Sequence, residues 1–109
     1  MNWRIIYFNE NVQEQIESWP VKMRAYYARI TERMIIYGPN LGMPFTRSMG
    51  NGLFEIRIRS QEGIGRAFFC TIKERRIVIL HAYVKKTQKT PSKELKIARR
   101  RMADVKTNW

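Results

Sequence analysis

Arg57, Arg66, Tyr83 and the lysines Lys85, Lys86 and Lys89 are the side chains of this sequence best suited to act on a phosphate. Guanidinium groups grip phosphate oxygens through forked pairs of donors. Ammonium groups crowded by like charge give up a proton more readily than an isolated lysine does, and an aromatic ring stacks on a base. Cleavage of RNA by in-line attack of the 2′-OH asks for little more than this. Something must take the 2′ proton, something must protonate the leaving 5′ oxygen, and cations must stabilise the charge that grows on the phosphate; no metal or cofactor is required. Arg57 and Arg66, if brought onto neighbouring strands, supply the clamp, and one of the three lysines supplies the proton-exchanging amine. The plainer reading makes Arg57 a surface residue paired with Glu55 or solvent, and Arg66 a strand-edge charge that strict alternation groups with Phe68 and Cys70.

Other chemistries find no support. There is no Gly-rich phosphate loop, no metal-ligand spacing around the single His81, and no Ser-His-Asp or Cys-His spacing. His81 lies in the apolar run Ile77 to Val84 and reads as a packed or hydrogen-bonded residue, with an acid–base role left open.

The elements that must position these residues follow from periodicity. Trp3 to Phe8 is a short first strand. Asn9 caps a helix carrying Val12, Ile16 and Trp19 on one side, and Ser18-Trp19-Pro20 ends it and starts another. That second helix has a stripe of Met23, Tyr26, Tyr27, Ile30, Met34 and Tyr37, which reads as core. Gly38-Pro39-Asn40 stops it, and residues 38–52 read as a loop. Leu53 to Arg59 alternates, with Phe54, Ile56 and Ile58 on one side and Glu55, Arg57 and Arg59 on the other. A turn at Ser60–Gly63 leads to a strand from Ile64 to Lys73, and a reversal at Glu74-Arg75 leads to a strand from Arg76 to Val84. Thr90 and Pro91 read as the cap and first residue of a helix running to about Val105. Lys85, Lys86 and Lys89 therefore fall in a strand-to-helix connection beside a positive helix end, where a polyanion is the natural counterpart. The expected order is β-α-α-β-β-β-α: one α+β domain over residues 1–109, an antiparallel sheet with its helices on one face and a partly charged second face.

Charge is unevenly spread. Residues 1–56 carry six Lys/Arg against five Asp/Glu, and residues 57–109 carry fifteen against four, so the second half holds +11 of the formal +12. Such a field concentrates phosphates and points to nucleic acid, the ribosome or an acidic protein partner. No segment pairs the charge with a wide apolar face, so a membrane surface is not expected. A single cysteine, Cys70, sits in an apolar stretch, as a structural thiol in a reducing cytosol would. With no leader-like or spanning run of about 18 apolar residues, a soluble cytoplasmic protein is expected.

Three stretches taken together resemble a known family. Leu53-Phe54-Glu55-Ile56-Arg57, Gly65-Arg66-Ala67-Phe68-Phe69, and Val78-Ile79-Leu80-His81-Ala82-Tyr83-Val84-Lys85-Lys86-Thr87-Gln88-Lys89-Thr90-Pro91 are similar, in order and spacing, to motifs of the HigB branch of the RelE/ParE toxin superfamily. The last block is the most specific. The resemblance implies a RelE-like fold and a bacterial or phage toxin that enters the ribosomal A site and cleaves translated mRNA without a cofactor. It also implies a helix-turn-helix antitoxin of the HigA type, and a free toxin that is a monomer. Arg57 and Arg66 match the family's strand arginines at the scissile phosphate. Lys85 and Lys86 match basic positions at the end of the last strand, and Tyr83 lies near the place of an aromatic. Arg59, Lys86, Lys89 and Lys93 are the expected RNA contacts. The chain lacks the acidic and second histidine residues that some members place near the site, so the general base and acid stay unassigned. Two other functions share this scaffold or surface: a ParE-like inhibitor of DNA gyrase without nuclease activity, and a nonenzymatic RNA- or ribosome-binding domain.

Overall fold

The computed structural model describes residues 1–86 and 91–109; Lys89 and the Thr90 cap expected from the sequence lie outside the described residues. In chain order the elements are β1 (Arg4–Tyr7), α1 (Glu10–Glu17), α2 (Val21–Tyr37), β2 (Thr46–Gly50), β3 (Leu53–Ser60), β4 (Gly63–Ile72), β5 (Arg76–Lys85) and α3 (Ser92–Asn108). Their local causes are those the sequence advertises. Asn9 Oδ1 accepts the Val12 N–H at 3.0 Å and opens α1. Pro20 fixes the entry to α2, which ends where Gly38 takes up a φ of 101°. Pro91 stands one place earlier than expected, at the cap itself, with Ser92 as the first helical residue.

The sheet has one strand more than the alternation suggests. Residues 46–50, read as loop, form β2, which pairs antiparallel with β3 through a two-residue turn at Asn51-Gly52. Both turn residues have positive φ, 56° and 86°, which is the type I′ geometry whose twist suits a hairpin. The order across the sheet is β1-β5-β4-β3-β2. It is mixed rather than wholly antiparallel, because β1 lies parallel to the first half of β5, from Arg4 opposite Arg76 to Tyr7 opposite Ile79.

The helices divide between the two faces instead of sharing one. From α1 and α2, Val12, Ile16, Met23, Ile30 and Met34 bury against Ile56, Ile58, Phe69, Ile77 and Ile79. On the opposite face α3 sets Ala98 and Val105, flanked by Leu95 and Met102, over Leu53, Phe68, Cys70, Val78 and Leu80. The physical reason is that β4 and β5 are apolar on both faces through their middle, so the second face also needs cover. Only the part of that face toward the ends of β3 and β5 is charged. Among the described residues no helix is long and apolar enough to cross a membrane.

One irregularity decides what the charged part contains. Phe68 pairs with His81 but Phe69 with Ile79, so Leu80 is an extra residue in β5. Strict alternation from Ile77 and Ile79 would turn Tyr83 and Lys85 toward α1 and α2. The bulge shifts the phase, so that Ala82 joins the α1–α2 core while Tyr83 joins Phe68 and Leu80 under α3.

Candidate active site

Register lines up Arg57 of β3, Arg66 of β4 and Tyr83 of β5 in one row across the sheet. Like charges directly opposite each other on neighbouring strands destabilise a sheet, so an Arg57–Arg66 pair requires compensation. Glu55 supplies part of it. Its carboxylate is fully buried, and the single oxygen Oε1 meets Arg47 Nη2 at 3.1 Å, Arg57 Nη1 at 3.1 Å and Arg66 Nε at 3.7 Å. Arg66 is itself 2 % exposed and donates from Nη1 to the Gly65 carbonyl at 2.8 Å. Three guanidinium charges against one carboxylate leave this cluster at +2. Arg47 and Arg57 have side chains 43 % and 15 % exposed, so the uncompensated charge reaches solvent through them.

Lys85 lies beyond this row on β5, opposite Ile64. Partial burial, and then the Arg66 charge, hold its ammonium below the ordinary lysine pKa, against an opposing pull from Glu55. Burial also lowers Arg66, with Glu55 opposing, yet a guanidinium so modified stays cationic at any physiological pH. Arg59, Lys86 and Lys93 are exposed around the cluster. Lys86 and Lys93 share a shallow depression of about 210 Å³ with Tyr83, Pro91 and Glu94.

Tyr83 is placed differently from a displayed base-stacking ring. It is 7 % exposed and stacks on Phe68 at 5.9 Å and on His81 at 6.3 Å. Little ring face is left for a base here. His81 Nε2 lies 3.1 Å from Glu94 Oε1 of α3, so the imidazole is partnered by a carboxylate at the edge of the site. The freed Leu80 carbonyl of the bulge accepts from Arg101 Nη1 at 2.8 Å, and Arg101 in turn covers the Phe8 ring at 5.0 Å.

Arg57, Arg66, Tyr83 and Lys85 are thus brought together, with Arg59, Lys86 and Lys93 on the rim. The Arg57–Glu55 pairing of the plainer sequence reading is present, but that reading missed Arg47, the burial of Glu55 beneath three arginines and the Glu94 carboxylate on His81. Asn51-Gly52 was a signal for the hairpin, but its unbroken register would set Ser48 opposite Glu55; the extra residue Met49, at the register shift between Ser48 and Gly50, brings Arg47 there instead, and no sequence signal announces it.

Residues 14–103 match the family described as phage derived protein Gp49-like (DUF891). The chain belongs to the Gp49-like family. The matched span runs from within α1 to within α3 and takes in Arg47, Glu55, Arg57, Arg66, Tyr83 and Lys85. The Gp49-like family is RelE/HigB-type and toxin-like, the mixed α+β sheet is compatible with a RelE-like fold, and membership implies a cognate antitoxin as partner. No curated protein matches the chain.

Proposed function

We propose that this Gp49-like protein is the toxin of a type II toxin–antitoxin pair and cleaves mRNA on the translating ribosome in the cytoplasm, by metal-independent attack of the 2′-OH. The observation that carries the reading is the +2 arginine cluster gathered on Glu55 beside Lys85. A phosphodiester that gains charge as the 2′ oxygen attacks is held more tightly by such a cluster than its ground state, which is the condition for catalysis. Arg57 and Arg47 face solvent and contact the non-bridging oxygens, while Arg66 holds the cluster from below. Lys85, a protonated amine with a lowered pKa, is the donor to the leaving 5′ oxygen. Glu55 is sealed beneath the arginines and acts as a positioning residue. The 2′ proton passes to water as the 2′ oxygen attacks, Lys85 returns one to the 5′ oxygen so that a cyclic phosphate and a 5′-OH result, and in this reading the ribosome contributes by holding the 2′-OH in line with the scissile bond. The antitoxin is of the HigA type.

The test is 5′-end mapping of a reporter mRNA in a bacterial cell-free translation reaction, with wild-type protein, with Arg57→Ala and Arg66→Ala, and with ribosomes omitted. New ends appear only where wild-type protein meets translating ribosomes. Intact mRNA in every lane sinks the reading and makes gyrase supercoiling the next assay. Salt-sensitive RNA binding without cleavage would instead identify a nonenzymatic RNA-binding domain.

A further inference from the structure

Beside the arginine cluster, on the far side of Tyr83, a second concave site of about 310 Å³ opens between α1, β5 and α3. Its position follows from β1, whose pairing with β5 stops at Tyr7 opposite Ile79, so that α1 rather than a strand flanks the rest of β5. Val12 and Ala82, both buried, make its apolar floor. One wall is Asn11 and Gln15, exposed and one turn apart on α1. The other wall is His81 with its Glu94 partner, and Tyr83 and the cationic Arg101 complete the lining.

We infer that this cavity is a nucleobase subsite that reads one nucleotide next to the cleaved phosphate. An apolar floor with a few convergent polar groups is the usual make-up of a small-molecule site, and its size is at the lower end of the range such sites cover. Each carboxamide offers a donor and an acceptor on one plane, the pattern that pairs with a base edge. The imidazole of His81, held by Glu94, presents a further polar ring atom from the opposite side. His81 and Tyr83 are two residues apart on β5, roughly 7 Å along a strand. Tyr83 both lines the cavity and ends the Arg57–Arg66–Tyr83 row, so the cavity adjoins the β5 end of that row, two strand spacings, or roughly 10 Å, from Arg57. The role in codon choice rests on the ribonuclease reading; the binding itself does not.

The experiment is a titration of the isotope-labelled full chain with each ribonucleoside 5′-monophosphate and, separately, with inorganic phosphate, read by NMR. The nucleotides shift the side-chain amide signals of Asn11 and Gln15 and the ring signals of His81, whereas inorganic phosphate shifts only the arginine cluster. The double variant Asn11→Ala/Gln15→Ala binds its preferred nucleotide about five- to tenfold more weakly, the loss expected for one or two hydrogen bonds. Alanine at these exposed helical positions keeps α1 intact, which circular dichroism verifies. Inorganic phosphate reproducing every shift, or unchanged nucleotide affinity in the double variant, overturns the inference. In the translation assay the double variant redistributes the cleaved codons, and an unaltered pattern counts equally against it. Absence of cleavage by the wild-type protein removes the ribonuclease reading but leaves the titration to decide the subsite.

Discussion

Glu55 is the residue on which the site turns, because three arginines are held at close quarters by one of its oxygens. Replacing it by glutamine keeps the shape and removes the countercharge. Glu55→Gln is expected to lower stability by about 2–3 kcal/mol, somewhat less than the loss of a fully buried partner, since Arg47 can turn to water. Urea unfolding measures this, and added sulfate should restore more stability to the variant than to the wild type, because an anion then binds a cluster lacking its own. Lys85 gives a second expectation. A lowered pKa means that its proton is lost at a lower pH than from an ordinary lysine. If the ammonium is the acid, cleavage falls on the alkaline side below the usual lysine range, and Lys85→Arg loses most of the rate at every pH, because a guanidinium keeps its proton; a variant that keeps the rate and loses only the alkaline limb makes Lys85 an electrostatic group instead. A pH–rate profile of both proteins decides it. Arg57 and Arg66 were readable as a candidate pair from residue type and from their places on successive strands, although alternation grouped Arg66 with Phe68 and Cys70. The convergence on Glu55 was not, since spacing within β3 places Glu55 beside Arg57 but says nothing of which side chains arrive from β2 and β4.

Among the elements, the bulge in β5 does what no propensity announces: one extra residue, Leu80, turns Tyr83 and Lys85 onto the face that carries the arginines. Its cost is a carbonyl outside the ladder, which Arg101 satisfies. Arg101→Ala leaves that group without its donor and uncovers Phe8, and a loss of about 1–3 kcal/mol is expected in thermal or urea unfolding. Gly65 matters from the other side of β4. A Cβ there would lie 2.9 Å from Met23 Cε and 3.0 Å from the Trp19 ring, so Gly65→Ala pushes the α1–α2 corner away from the strand that carries Arg66. The expected destabilisation is about 1–3 kcal/mol, with cleavage reduced alongside it. Helices and the β3–β5 meander were legible because their periods are strong and their stops are explicit. β2 was not, because Thr46, Arg47 and Ser48 carry no apolar alternation and its existence depends on pairing with β3.

The molecule as a whole is divided by charge, with +11 in residues 57–109. Affinity for single-stranded RNA should fall linearly with salt on a logarithmic plot, and each lost phosphate contact should reduce the slope by about 0.7. Arg59→Ala and Lys93→Ala, both on the exposed rim, are expected to do so singly and by similar amounts in fluorescence-anisotropy titrations. On the second face, α3 covers the apolar part and stops short of the charged part. The pairing of β1 with β5 carries a consequence for the order of assembly. Strands β2 to β5 join through short local turns, whereas Arg4 must find Arg76 across about two thirds of the chain. Contacts so distant in sequence form late, after loop closure has been offset by nearer ones. In pulse-labelled hydrogen exchange during refolding, amides of β3, β4 and the inner edge of β5 should gain protection first and those of β1 last. The arginine-rich surface would then exist before the sheet is closed, and a partner that binds there would have its target from that moment.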